Sequence, residues 1–207
     1  DAYNRALSLQ PMHVPSLHRK GAALVRLKRY EEAIKVFDRA LEIDPSCTEA
    51  IYDKGRALSA LGMYREAVKT YDKVPGLDLG NAEVSYDKGI ALAHLGRHDD
   101  AIVAFNKALE LDPGNVQAAY NKGLSHATTG RHQDAIEAFD CVIERDPGSV
   151  DAWVHRGLSL YALGKYNDAV ESYVHAIAID PSNAGAWYFK GSAIFASAGY
   201  EDAIEAF

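Results

Sequence analysis

The residues best equipped for chemistry in this 207-residue chain are its carboxylates, twelve tyrosines, eight histidines and two cysteines. Glu49 with Asp53, and Glu83 with Asp87, are like-charged pairs at i, i+4. Such a pair costs an isolated helix about 0.2–0.5 kcal/mol. Acids at a helix N-terminus are favoured by the helix dipole, which accounts for Glu49 and Glu83. Arg56, three residues on, can answer Asp53, whereas Asp87 has no such partner in its own helix. Two readings follow: ordinary solvated helix ends, or an acidic patch that accepts lysine or arginine. Tyr52 and Tyr86 stand beside these acids. A tyrosine offers apolar area, a hydroxyl and a ring face that can hold a cation.

Catalytic and metal chemistry finds less support. Cys47 and Cys141 form no CxxC pair, and HExxH is absent. His98 and His132 share a phase with Tyr30, Tyr64, Tyr166 and Tyr200, so they are expected to serve as packing rings. His126 falls where Leu58, Leu92 and Leu160 stand, so it is expected to be partly buried. His94, His98, His126 and His132 could approach one another at one edge, but without a supporting motif no metal site is expected. No GxSxG, P-loop or dinucleotide fingerprint occurs. The carboxylates follow helix-end phasing. The chain is therefore expected to be no enzyme and to need no cofactor.

A formal net charge of −7 argues against nucleic acid as a partner. No run of 18 apolar residues suggests a membrane span. Free cysteines and the lack of a signal-like segment fit a cytoplasmic protein.

Positioning these side chains is the work of a repeat. Glycine recurs at 21, 55, 89, 123, 157 and 191, and alanine at 33, 67, 101, 135, 169 and 203. An aromatic stands at 3, 37, 71, 105, 139, 173 and 207, and proline at 11, 45, 113, 147 and 181. Every column steps by 34 residues, proline alone skipping one place, at Leu79. Within one period, Ala135, Ile136, Phe139, Val142 and Ile143 share a helical face. Gly130 precedes that helix and Asp146-Pro147-Gly148 ends it, so each period reads as two helices. A glycine inside a helix costs about 1 kcal/mol relative to alanine. Close approach of a partner helix can offset this, and the in-phase Ala67, Ala101 and Ala135 are expected to supply the opposite surface. In VPGLDLGN, residues 74–81, Pro75 is expected to stop its helix near Lys73. Cys47 and Cys141 lie nearly three periods apart, too far for a bridge.

This pattern resembles the tetratricopeptide repeat over the whole chain. The resemblance implies an all-α fold, a right-handed superhelical solenoid of stacked helix-turn-helix units. The family's first-helix tryptophan is present at Trp153 and Trp187 but is Leu17, Ile51, Ser85 and Ala119 elsewhere. Its leucine before the glycine is here Lys20, Lys54, Lys88, Lys122, Arg156 and Lys190. The stem of each is expected to cover apolar surface with its charge in water.

The resemblance also implies where a ligand would lie, along a concave groove lined by first helices. Its lining positions hold Glu49, Tyr52, Asp53, Arg56, Glu83, Tyr86, Asp87, Ile90, Tyr120, Asn121, Leu124, His155 and Leu158. The family's five-residue carboxylate clamp is absent in every frame; its places hold His18, Ala22, Asp53, Glu83 and Asp87 in the first. Asn121 stands alone rather than in an asparagine ladder.

The repeat frame is expected to run as 1–13, the end of a second helix, then 14–47, 48–81, 82–115, 116–149, 150–183 and a truncated 184–207. Together these would form one continuous solenoid domain, a fragment of a longer array. The expected function is a protein-interaction scaffold that binds a peptide segment, basic or aromatic in character, in the groove. The alternatives are a self-associating structural module, with truncated repeat ends that adhere, and the recognition arm of an enzyme whose catalytic domain lies elsewhere.

Overall fold

The recurring columns fold into twelve helices in the computed structural model, which describes residues 2–74 and 82–197. They are α1 (Ala2–Leu9), α2 (Val14–Arg26), α3 (Tyr30–Ile43), α4 (Thr48–Ala60), α5 (Tyr64–Tyr71) and α6 (Ala82–His94). Then follow α7 (His98–Leu111), α8 (Val116–Thr128), α9 (His132–Arg145), α10 (Val150–Ala162), α11 (Tyr166–Ile179) and α12 (Ala184–Ala196). No strand occurs among the described residues. The fold is all-α, of the helical-repeat solenoid class.

Two compact units divide the chain, Asp1–Leu111 and Asp112–Phe207. In the first, each helix from α1 to α7 packs on its sequence neighbour, and α2, α4 and α6 also touch in series. In the second, α8 to α12 do the same, with α8, α10 and α12 in series. Alternate helices thus line up side by side within each unit.

Each helix pair is closed by one contact. Phe37, Tyr71, Phe105, Phe139 and Tyr173 are fully buried. Their rings lie against Gly21, Gly55, Gly89, Gly123 and Gly157, sixteen residues earlier in each case. A Cβ added at Gly123 would stand 2.7 Å from the Phe139 ring, closer than packed atoms approach. This corrects the expectation that alanine faces the glycine. Ala67, Ala101 and Ala135 are fully buried, but the surface that meets the glycine is the aromatic ring. The missing side chain is the space the ring occupies.

The turns between paired helices share one geometry. Gly62, Gly96, Gly130 and Gly164 have φ of +73° to +76° there, and Lys28 takes the same place at φ +58°. The N–H of the next residue then reaches back to the helix, as Arg97 to the Leu92 carbonyl at 3.0 Å. Asn115, Ser149 and Asn183 cap α8, α10 and α12 with their side chains.

At three positions the basic residue before the glycine does more than reach water. Lys54 pairs with Asp38, Lys88 with Asp72 at 2.6 Å, and Arg156 with Asp140 at 2.6 Å. Arg156 also donates to Ser172 Oγ at 2.7 Å. The three ion pairs fasten a first helix to the chain just before it, again at a separation of sixteen residues, and the Ser172 bond ties Arg156 to the helix after it.

α5 is six residues shorter than the fourteen-residue α3, α7, α9 and α11. It ends at Tyr71, slightly before the expected Lys73. A proline ring clashes with the carbonyl four residues earlier, which for Pro75 is that of Tyr71. That carbonyl instead accepts from Val74 N–H at 3.0 Å. The rest of the irregular stretch, 75–81, lies outside the described residues.

His126 is buried in the place of Leu58, Leu92 and Leu160. Its Nδ1 has no hydrogen-bond partner, since the nearest carboxylate oxygen, on Asp134, is 3.6 Å away. Burial pushes the imidazole below its usual range; Asp134 opposes this, and Arg131 and Lys122 add to it. Among the described residues, no helix is long and apolar enough to cross a membrane. No group of three metal-ligating side chains converges among them either.

Candidate functional site

The series α2, α4, α6 presents one face of the first unit. His18, Tyr52 and Tyr86 occupy equivalent turns of these helices, 34 residues apart. Behind each ring sits a core aromatic, with centroids 6.1 Å apart for His18–Phe37, 6.3 Å for Tyr52–Tyr71 and 6.1 Å for Tyr86–Phe105. The glycine spacing thus sets the rings of the face as well as the core.

The polar ends of these rings form rungs between helices. His18 Nε2 lies 2.9 Å from Asp53 Oδ2, joining α2 to α4. Tyr52 donates to Asp87 Oδ2 at 3.0 Å and to Glu83 Oε2 at 3.4 Å, joining α4 to α6. Each main rung spans 35 residues. Asp87 therefore finds across the helix boundary the partner it lacks within α6. Asp53 and Asp87 are half-buried rather than solvated helix ends, while Glu49 is exposed.

Arg56 closes the network. Its guanidinium lies 5.7 Å from the centroid of the Tyr52 ring. It also sits 4.0 Å from Asp53 Oδ1 and 3.9 Å from Asp87 Oδ2. Those distances are ion pairs without hydrogen bonds, and the Arg56 side chain is 55% exposed. Asp53 and Asp87 face Arg56, and Glu83 shares the Tyr52 hydroxyl with Asp87, so three carboxylates meet one arginine and the patch keeps an acidic excess.

Burial and charge shift the titrating groups together. Burial raises the Tyr52 phenol far above its usual range, and Asp87 adds to this through space and through the hydrogen bond. Tyr52 is thus a permanent donor at neutral pH. Burial also raises the Asp87 carboxyl, opposed by the Tyr52 hydrogen bond and by Arg56. Tyr86 is raised by burial and by Asp87. Ile90 lies half-buried one turn beyond Tyr86 on α6.

In the second unit, α8, α10 and α12 carry a more apolar face. Tyr120 Oη stands 3.2 Å from His155 Nδ1, with the rings edge to face at 5.7 Å. His155 Nδ1 also lies 2.8 Å from the Asp151 carbonyl, so it carries the proton and donates there. Burial, then Asp151, pushes the Tyr120 phenol up to about 12. Asn121 donates to the Gln117 carbonyl at 2.9 Å. Leu124 and Leu158 are half-buried, and Tyr161, Tyr188 and Phe195 are exposed.

Of the expected residues, Tyr52, Asp53, Arg56, Glu83 and Asp87 meet in one network. Tyr120 meets His155 in another. Glu49 lies against Cys47 Sγ at 3.8 Å, and Ile90, Leu124 and Leu158 are half-buried apolar residues. His18, at the groove-facing position that Tyr52 and Tyr86 hold in the next repeats, anchors the first rung.

Family models place this architecture. Models described as tetratricopeptide repeat match residues 14–47 and 52–116, and one described as TPR repeat matches 157–197. The chain is a tetratricopeptide-repeat protein. A model described as anaphase-promoting complex, cyclosome, subunit 3 also resembles residues 94–176. No curated protein sequence matches the chain. Among solved tetratricopeptide-repeat structures, YrrB, described as a TPR protein with an unusual peptide-binding site, is 26% identical with a TM-score of 0.82. That match covers 90% of this chain and 96% of YrrB. A MamA structure is 26% identical, covers 83% of this chain and 93% of its own, and has a TM-score of 0.78. MamA from Desulfovibrio magneticus RS-1, from residue 41 to its end, is 24% identical, covers 83% and 98%, and gives 0.76; it bears on the fold alone.

Proposed function

We propose that this tetratricopeptide-repeat chain is a protein-interaction scaffold whose first-helix face binds a peptide segment bearing lysine or arginine next to aromatic or apolar residues. The proposed repeat frame is 14–47, 48–81, 82–115, 116–149 and 150–183, with partial repeats on either side. Glu49, Asp53, Glu83 and Asp87 draw the cation, and Tyr52 and Tyr86 flank it. Tyr120, Asn121, Leu124, His155 and Leu158 make a second, more apolar set. The role is binding rather than catalysis. The peptide-binding site described for YrrB, a protein of the same fold, supports this reading.

One observation carries it. The acidic patch already holds a cation of its own: Arg56 lies over Tyr52, between Asp53 and Asp87. Its contacts are long and exposed, so an incoming guanidinium or ammonium can take its place.

Partner capture from the source-cell lysate tests the location. Native chain is compared with an Asp53→Asn/Asp87→Asn variant, which keeps the acceptors of the rungs but removes two charges. Partners are expected to be lost with the variant at an unchanged thermal midpoint. A partner list identical for both proteins would move recognition off this face.

A further inference from the structure

A cavity of about 300 Å³ opens between α5, α6 and α7 of the first unit. Sites that hold a small ligand span about 300–1,000 Å³, so it stands at the lower end of that range. Val68, Leu92, Val103 and Ala104 give it apolar walls, and Ser85 lines it from α6. Three cations also line it, each paired with a carboxylate: Lys88 with Asp72 at 2.6 Å, Arg97 with Asp100 at 2.7 Å and Lys107 with Glu110 at 3.2 Å.

The repeat itself shows what this space is shaped for. Ser85 stands in the column that holds Leu17, Ile51, Ala119, Trp153 and Trp187. Leu17 and Ile51 are each 1% exposed, so in their repeats the side chain fills its own place. Ser85 is as deeply buried, yet its hydroxyl has no hydrogen-bond partner. A buried, unpaired hydroxyl destabilises a fold, so folding alone favours an apolar residue here. Where the column holds tryptophan, the ring lies against the residues that correspond to Lys88 and Lys107. Arg156, in the place of Lys88, stands 5.8 Å from the centroid of the Trp153 ring, and Lys190 stands 4.9 Å from that of Trp187. His175, in the place of Lys107, stacks on Trp153 at 4.4 Å. The cavity is thus the space that a column tryptophan takes in its own repeat, with serine in that residue's place. Val103 extends the apolar wall outward; it is 69% exposed where the other repeats have Lys35, Lys69, Glu137 and Glu171. Ala119 is small as well, but the places of Leu92, Val103 and Lys107 there hold His126, Glu137 and Cys141, so neither the apolar wall nor the second cation recurs.

We propose that this cavity receives the indole of a tryptophan carried by a segment of a partner protein. The ring lies against Lys88 and Lys107 as Trp153 lies against Arg156 and His175, and the cations face its π-system. An apolar residue beside that tryptophan covers Val103, which is why a peptide segment, rather than a free indole, is the occupant. Tryptophan is among the side chains that most often anchor an interface in such a pocket. The site is separate from the rungs of Tyr52 and Asp87 and does not rest on the basic-segment reading of that face.

The test is fluorescence anisotropy of the full chain with a labelled peptide of sequence Ser-Gly-Leu-Trp-Leu-Gly-Ser. Saturable binding is expected, about tenfold or more tighter than for the same peptide with alanine in place of tryptophan, and than for free indole added as competitor. Ser85→Trp supplies the ring from within the chain, so it is expected to raise the thermal midpoint and to weaken peptide binding about tenfold or more. Should that variant fold poorly, Ser85→Ile, which copies Ile51, reads the same loss. Val103→Glu, which copies Glu137, is expected to weaken binding about threefold at an unchanged thermal midpoint, a result that a purely structural role would not give. Absence of saturable binding, a peptide indifferent to its tryptophan, free indole that binds as tightly as the peptide, or binding that survives Ser85→Trp and Ser85→Ile would each overturn the inference.

Discussion

Gly55 is a position where one methyl group decides whether two helices can pair. Its missing side chain is the space filled by the Tyr71 ring, which is fully buried and has no route of retreat. Gly55→Ala should cost about 2–3 kcal/mol, in the range of core overpacking. Gly62 is the control: a Cβ there meets open space, but φ is +74°. Gly62→Ala should cost about 1 kcal/mol, from backbone conformation alone. Urea denaturation of both variants checks the order; a larger cost at Gly62 would contradict it. The glycine and aromatic columns were plain in the sequence because each repeats at a fixed step. That they touch was not, because phase along the chain does not say which way two helices turn toward each other. The small alanine looked the natural partner for glycine, and the ring took the place instead.

Between elements, the unit of construction is the rung from one first helix to the next. Tyr52 and Asp87 show its energetics. Asp87 titrates above the ordinary carboxylate range because burial outweighs the hydrogen bond from Tyr52 and the charge of Arg56. A carboxyl raised on folding opposes folding above its folded pKa. That opposition fades as pH falls through the folded value and is gone below the unfolded one. Tyr52→Phe removes a contribution that lowers the value, so the Asp87 midpoint should rise further and stability at neutral pH should fall by about 1–2 kcal/mol. Carboxyl-carbon NMR titration of both proteins reads the midpoint; a lower midpoint in the variant would refute the role of the rung. The acid pairs themselves were legible in the sequence. Their partners were not, since helix-face reasoning pairs residues three or four apart and the rungs span 35 residues. The short α5 was legible because a proline stands four residues after Tyr71 in the sequence.

At the scale of the whole molecule, the net charge of −7 includes a cluster of carboxylates on one face of the first unit. The acidic face is lined by first helices and holds Arg56 as an internal cation. The repeat made the fold readable along most of the chain, while the ligand-facing chemistry rests on a departure from it: Arg56 beside Tyr52, where the next three repeats hold Ile90, Leu124 and Leu158. The central claim, that the first-helix face takes a basic segment in competition with Arg56, has a direct measurement. It is the affinity of a labelled lysine-, arginine- and tyrosine-containing peptide for native chain and for Arg56→Gln, at low and high salt. Affinity should fall as salt screens the carboxylates over about 10 Å. Arg56→Gln should bind about fivefold tighter at low salt, through loss of both a competitor and a like charge. Binding that ignores salt, or that weakens when Arg56 is removed, would contradict the claim.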